Sequence, residues 1–267
     1  MAANSSPIAL MERYWKEWES KLSVLVQSKS AKLYFPAKLK QSDPDQEKNW
    51  YTVQPVTPIC IYNAPPKGSS GKGIASSGRM AIFVTGSFEL TPLERGFELH
   101  GATCEISFYR IKREDGDGVQ LKLFDAMHFD YEKANNHTPF HPVFHAQRGR
   151  CRTITHESVK DLMVNYRVPG SEKVIVSDDE KIDLGTPYFR LPTPQLDIFS
   201  VFALLMADFF CNGGELKDNP RIQNMFRSIL KHLTDERNAV REGASSRRLK
   251  DRFDSHISAA HWYAEFV

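Results

Sequence analysis

Cysteine is scarce in this sequence of 267 residues, and the four cysteines stand far apart. Cys60, Cys104, Cys151 and Cys211 include no C-x-x-C pair, and nothing in their spacing indicates a disulfide framework. A chain of this length can bury a large apolar core and does not need disulfides for its stability. The cysteine pattern therefore favours a reducing compartment.

Long apolar runs are also missing. The longest, Leu196–Cys211, is interrupted by Asp197, Ser200 and Asp208. It is shorter than the roughly 20 apolar residues that are needed to span a bilayer. The first six residues lack the basic and apolar regions of a secretory signal. We therefore expect a cytoplasmic protein without a membrane span.

An excess of charge of one sign is absent as well, because 35 basic and 33 acidic residues leave a net charge of +2. This balance excludes a strongly basic nucleic-acid-coating protein and an acidic disordered tail, although it allows a local basic patch. The G-x-x-x-x-G-K-[ST] loop of nucleotide-binding proteins is not present, since Gly71 and Lys72 are followed by Gly73. No G-x-S-x-G serine nucleophile motif occurs either.

What the middle of the chain does contain is the pattern of an antiparallel sheet. Three segments are rich in β-branched and aromatic residues: Met80–Leu90, Phe97–Arg113 and Val119–Glu132. The Asp/Gly cluster at 114–118 is typical of a hairpin turn. Successive strands with short connections predict a β-meander rather than βαβ units. A further strand is expected at Lys173–Val176.

Helical periodicity flanks this region. Over residues 6–28 apolar side chains recur every three or four positions, which predicts an amphipathic helix whose two tryptophans pack on its own domain. A short helix is expected at 156–165, and another amphipathic helix at 220–241. The segment Leu196–Phe210 is apolar on nearly every side, so we expect it in the centre of the domain or in an oligomer interface.

These patterns together predict an α+β fold. We expect an antiparallel β-meander over about residues 50–176, packed against the N-terminal helix and a C-terminal helical portion over about residues 193–262. No internal repeat and no domain linker is recognisable, so the prediction is a single domain over residues 1–267.

Histidines are concentrated in one part of the chain. Five of the nine lie within 29 residues, where an even distribution would place about one: His128, His137, His141, His145 and His156. If the strand ending at Glu132 is correct, His128, Asp130 and Glu132 project from one face and the intervening apolar residues from the other. The four-residue step from His141 to His145 resembles that of H-E-x-x-H metal sites, although Pro142 follows the first histidine and the glutamate is missing.

Imidazole and carboxylate ligands together suit a divalent transition metal, of which we consider Zn or Mn, better than Ca or Mg. The predicted ligands are His128, Asp130, His141 and His145, with Glu132 as the general base. A site that uses three protein ligands and keeps an open position would allow a bound water to ionise near neutral pH and attack an ester or phosphodiester. Three alternating arginines are predicted to face one way on a strand and to hold a phosphate: Arg148, Arg150 and Arg152.

The resulting hypothesis is a metal-dependent hydrolase that acts on a phosphodiester, similar to a nuclease or phosphodiesterase. Two alternatives remain open at this point. In the first, the protein is a non-catalytic assembly subunit whose apolar helices form a homo-oligomer or bind a protein partner, while the histidines only brace a loop. In the second, it is a nucleic-acid-binding or nucleotide-binding module that uses its arginines. A stoichiometric transition metal in the purified protein favours the enzyme.

Overall fold

The computed structural model describes residues 7–42, 50–66, 78–92, 97–113, 118–132, 144–179, 191–192, 198–211 and 219–228. Among the described helices, α1 is Pro7–Ser28, α2 is His156–Asn165 and α3 is Ile198–Leu205, and residues 220–228 are also helical. The strands are β1 Lys32–Tyr34, β2 Leu39–Gln41, β3 Tyr51–Pro55, β4 Ile59–Ala64, β5 Met80–Pro92, β6 Phe97–Arg113, β7 Val119–Glu132, β8 Phe144–Arg148, β9 Val174–Asp178 and β10 Leu191–Pro192.

Within these residues the strands form one sheet in the order β1-β4-β5-β6-β7-β8-β10, with β2, β3 and β9 attached beside this path. The predicted meander of β5, β6 and β7 is confirmed, since the three long strands pair consecutively and antiparallel. The sheet extends further than expected, from Lys32 to Pro192. One pairing departs from the antiparallel pattern, because β9 lies parallel to the first half of β7.

Both faces of the sheet are covered, and alternate residues of each strand enter different cores. In β5, Ile82 and Val84 belong to the core beneath α1 and α3, whereas Ala81 and Phe83 belong to the core beneath α2. This alternation is the side-chain geometry of a pleated strand. The α+β architecture is therefore a sheet between two helical layers. We call the side covered by α1 and α3 the α1 face, and the other side the α2 face.

Aromatic packing joins the N-terminal and C-terminal helices on the α1 face. Trp18 of α1 stacks on Phe199 of α3 with ring centroids 5.7 Å apart, and Phe199 also stacks on Phe88 of the sheet at 5.5 Å. Trp15 donates a hydrogen bond from its indole nitrogen to the Pro36 carbonyl at 2.7 Å, which satisfies the polar atom of a buried ring. Both tryptophans pack on the protein's own core, as predicted.

The C-terminal portion agrees with the predicted helices where the structure describes it. The helix that begins at Ile198 continues from Met206 to Cys211 as a π-helical turn, and residues 220–228 are helical. Phe202 and Phe210 are fully buried, so this apolar segment is indeed central. The beginning and the end of the predicted helical portion, near residues 193 and 262, lie outside the described residues. Among the helices that are described, none is long and apolar enough to cross a membrane.

Candidate metal site

Two neighbouring strands bring three potential metal ligands together on the α2 face. His128 and Asp130 lie on β7, and His145 lies on β8 directly opposite Asp130. Between them on β7, Phe129 is buried in the core of the α1 face, as is Tyr131. The polar side chains therefore project from the other face, as strand alternation predicts. The pairing of β7 with both neighbours is continuous from Met127 to Tyr131, so no bulge disturbs this geometry.

The distances among the three side chains suit a shared ion. Asp130 Oδ2 is 3.5 Å from His128 Nε2 and 3.3 Å from His145 Nε2. Two ligands about 2.1 Å from a tetrahedral ion are about 3.4 Å apart, which is close to both separations. One ligand atom from each of the three residues lies within 4.8 Å of the other two.

The site is shielded on one side and accessible on the other. The His145 side chain is only 3 % exposed, whereas those of His128 and Asp130 are 20 % and 22 % exposed. The two imidazole rings are nearly perpendicular, with centroids 6.5 Å apart. An ion held by these three residues would therefore be accessible from the side of His128 and Asp130.

Two predicted members of the site cannot be placed in the same way. His141 lies outside the described residues, together with His137. Glu132 is the last residue of β7, where its backbone pairs with Gly101, but its side chain is not among those described. The described part of the predicted ligand set is therefore His128, Asp130 and His145.

The three predicted phosphate-binding arginines do not share one strand face. Strand β8 ends at Arg148, and Gly149 then takes a backbone φ of 154°. Arg148 follows Ala146 by two residues and so lies toward the α1 face, where it pairs with Asp125 at 2.8 Å. Arg150 pairs with Asp178, and Arg152 is exposed in the loop that leads to α2.

Sequence reasoning missed Glu105, which holds this loop against the site. Glu105 lies on β6 directly opposite His128. Its carboxylate accepts three backbone N–H groups, from Arg152 at 3.1 Å, from Thr153 at 2.8 Å and from Ile154 at 3.2 Å. Alternation along β6 could have placed Glu105 on the polar face, but no local signal links it to a loop 47 residues later.

Cys151 lies in the same loop, and its thiol is unreactive. Its thiol accepts a hydrogen bond from the Ser107 hydroxyl at 3.3 Å and lies 3.5 Å from the Ile106 carbonyl oxygen, to which it donates. Burial raises the pKa of Cys151 to about 12. At neutral pH the group is therefore a thiol, which neither binds a metal readily nor attacks a substrate.

Comparisons of the chain with protein-family models, with curated proteins and with solved structures found no match. The functional conclusion therefore rests on the side chains of the site and their surroundings.

Proposed function

We propose that the protein is a metal-dependent hydrolase that binds a divalent transition metal, Zn or Mn, through His128, Asp130 and His145. The observation that carries this proposal is the convergence of two imidazoles and one carboxylate within 4.8 Å on the α2 face of the sheet. Neutral imidazole and carboxylate ligands are a set that transition metals prefer to Ca or Mg. His141, also predicted as a ligand from the sequence, lies outside the described residues and stays a prediction.

A metal held by these three residues would supply a water of lowered pKa and would polarise a phosphoryl oxygen. The substrate we propose is a phosphodiester. Its hydrolysis would form a bond from a water oxygen to phosphorus and break the bond from phosphorus to the leaving alcohol oxygen. The carboxylate of Glu132, the proposed general base, would take the proton of the attacking water, and the leaving oxygen would take a proton from solvent water.

The cellular context belongs to the same proposal. We propose a cytoplasmic protein, because the four cysteines carry no pattern of a disulfide framework and all four are free. Self-association or binding of a protein partner would use the apolar helices, on which Leu204 is 48 % exposed within the described residues.

Metal titration by calorimetry tests the site directly. The purified protein is stripped with a chelator and titrated with Zn²⁺ and with Mn²⁺, next to the variants His128→Gln and His145→Gln. The matched control is His156→Gln, because His156 pairs with Asp178 at the start of α2 and does not belong to the triad. We expect one metal per chain, an affinity loss of more than about 100-fold in each triad variant, and little change in the control.

Hydrolysis is then measured with the metal-loaded protein and bis-p-nitrophenyl phosphate. Turnover that disappears in both triad variants and persists in Asp125→Asn, which alters a carboxylate paired with Arg148 away from the triad, supports the enzyme. Failure of the wild-type protein to bind either metal would overturn the proposal. Metal-free protein that forms a stable oligomer would favour the assembly subunit, and metal-independent binding of an oligonucleotide would favour the nucleic-acid module.

A further inference from the structure

The loop between β8 and α2 is fixed to the sheet at its centre. The Glu105 carboxylate accepts the backbone N–H groups of Arg152, Thr153 and Ile154, with donor–acceptor distances of 2.8–3.2 Å. Hydrogen bonds to an ionised carboxylate are stronger than those between neutral groups. Three successive N–H donors on one carboxylate therefore define the path of the loop at this point.

The loop is also fixed on both sides of this clamp. Before it, the Arg150 guanidinium pairs with the Asp178 carboxylate, whose other oxygen is 3.0 Å from His156 Nε2. After it, Thr155 caps α2 in a reciprocal capping box with Ser158. Because the contacts come from β6, β9 and α2, the backbone of residues 150–155 has little freedom to move away from the sheet.

This anchoring places the loop beside the metal site. Glu105 and His128 are opposite each other on adjacent antiparallel strands, and both belong to the α2 face. Side chains that are directly opposite in this way have Cβ atoms about 4.5–5.5 Å apart. The backbone nitrogen of Arg152 donates to the carboxylate of Glu105. The side chain of Glu105 therefore separates the backbone of Arg152 from His128.

The arginines of this region differ in whether their charge is already paired. Arg148 pairs with Asp125 and lies toward the α1 face, and Arg150 pairs with Asp178. The Arg152 side chain is exposed and makes no ion pair or hydrogen bond to any part of the chain that the structure describes. Of these three arginines, Arg152 is thus the one whose guanidinium has no partner in the described part of the chain, and its backbone nitrogen lies 3.1 Å from the carboxylate of Glu105, the residue opposite His128.

We infer that Arg152 binds the non-bridging oxygens of the substrate phosphate, and that Glu105 is the positioning residue that holds Arg152 in place. This inference rests on the proposed function, since the phosphate must also reach the metal held by His128, Asp130 and His145. A guanidinium presents its N–H donors in a planar fork that matches two phosphate oxygens, whereas a lysine offers a single point charge.

Binding of dimethyl phosphate, a diester anion that is not turned over readily, measures this contact apart from catalysis. It is titrated into Zn-loaded protein by calorimetry. We expect Arg152→Ala to weaken dimethyl phosphate about tenfold or more, and Arg152→Lys to weaken it less, while Zn²⁺ affinity is unchanged in both. Arg148→Ala is the matched control, because it removes an arginine four residues away that lies toward the opposite face, and it should change phosphate affinity less than about twofold.

The role of Glu105 is tested by a double-mutant cycle. Glu105→Ala removes both carboxylate oxygens and with them all three hydrogen bonds to the backbone of the loop, so the loop loses its anchor. We expect the variant to bind Zn²⁺ normally and to lose most of the phosphate affinity that Arg152→Ala loses. The double variant should be no weaker than either single variant, which is the non-additivity expected of residues that act together.

The results separate this inference from the proposed function. The inference is overturned and the metal site stands if Zn²⁺ binds but Arg152→Ala and Arg148→Ala have the same affinity for dimethyl phosphate. The same conclusion follows if Zn²⁺ binds but the wild-type protein does not bind dimethyl phosphate. If Zn²⁺ does not bind, the proposed function fails, and the same titration is made without metal. Phosphate binding that still depends on Arg152 would then support the anion contact, and its absence would overturn both. Fully additive losses in the double variant would overturn the role of Glu105.

Discussion

Asp130 and His145 lie directly opposite each other on β7 and β8, and the carboxylate oxygen Oδ2 is 3.3 Å from the imidazole nitrogen Nε2. The same oxygen is 3.5 Å from Nε2 of His128. One carboxylate therefore lies between two imidazoles from adjacent strands. A hairpin of extended backbone can hold such a group more rigidly than a loop, because each residue is fixed by the hydrogen bonds of the sheet.

Replacing Asp130 with Asn should separate metal binding from folding. The amide has the shape of the carboxylate but lacks its charge, so we expect Zn²⁺ affinity to fall by more than about 100-fold while the melting temperature changes little. Asp125→Asn is the control, because Asp125 pairs with Arg148 away from the triad. Calorimetric Zn²⁺ titration and thermal melting check the prediction, which is contradicted if both variants bind Zn²⁺ like the wild type.

Truncation of Phe202 should show that α3 is part of the core. Its side chain is 1 % exposed and contacts the rings of Trp15 and Trp18. We expect Phe202→Ala to lower the free energy of unfolding by about 3–5 kcal/mol in urea denaturation. Leu204→Ala on the same helix, where the residue is 48 % exposed, should cost less than about 1 kcal/mol. Equal costs for the two variants would argue that α3 is a surface helix.

Gly86 should tolerate no side chain, in contrast to Gly101 on the neighbouring strand. A Cβ at position 86 would lie 2.4 Å from the backbone oxygen of Thr103 and 3.3 Å from Cβ of Ile198. The backbone of the neighbouring strand or the packing of α3 would have to shift to make room for it. At position 101 the nearest atom is the carboxylate of Glu89, a flexible group that can move. We expect Gly86→Ala to destabilise the protein by about 1–3 kcal/mol and Gly101→Ala by less, as measured by urea denaturation.

The Cys151 thiol should make the stability of the protein sensitive to alkaline pH. Burial raises the pKa of Cys151 to about 12, while in the unfolded chain the thiol ionises near its ordinary pKa of about 9. Above that lower value the unfolded state binds fewer protons than the folded state, so stability is lost as the pH rises from about 9 to about 12.

Cys151→Ser removes this contribution. Under reducing conditions its free energy of unfolding should fall with pH less steeply than that of the wild type, by up to about 1.4 kcal/mol per pH unit within this window. Parallel pH profiles for the two proteins would show that the thiol ionises equally in both states.

Much of the fold could be read from local patterns. The composition and alternation of Met80–Leu90, Phe97–Arg113 and Val119–Glu132 predicted the meander, because strands of this length with one apolar face have few other ways to bury it. The N-terminal helix followed from apolar periodicity, and the short helix expected at 156–165 is present as α2. The parallel pairing of β9 was not predicted, since pairing with a strand so much earlier in the chain leaves no local mark.

For the site, the sequence by itself determined which side chains share a face. Residues two apart on a strand must project together, so their spacing alone was enough to put His128 and Asp130 side by side. The sequence also determined that ligand-type residues are concentrated near the end of the meander.

Only the tertiary structure decided which distant groups complete the site. The register between β7 and β8 puts His145 opposite Asp130, and a shift by one residue would have turned it to the other face. Likewise, only the return of the chain after β8 brings the backbone of Arg152 to Glu105 and separates Arg152 from Arg148. Register and loop path depend on the summed packing of both cores, which no short segment of the sequence contains.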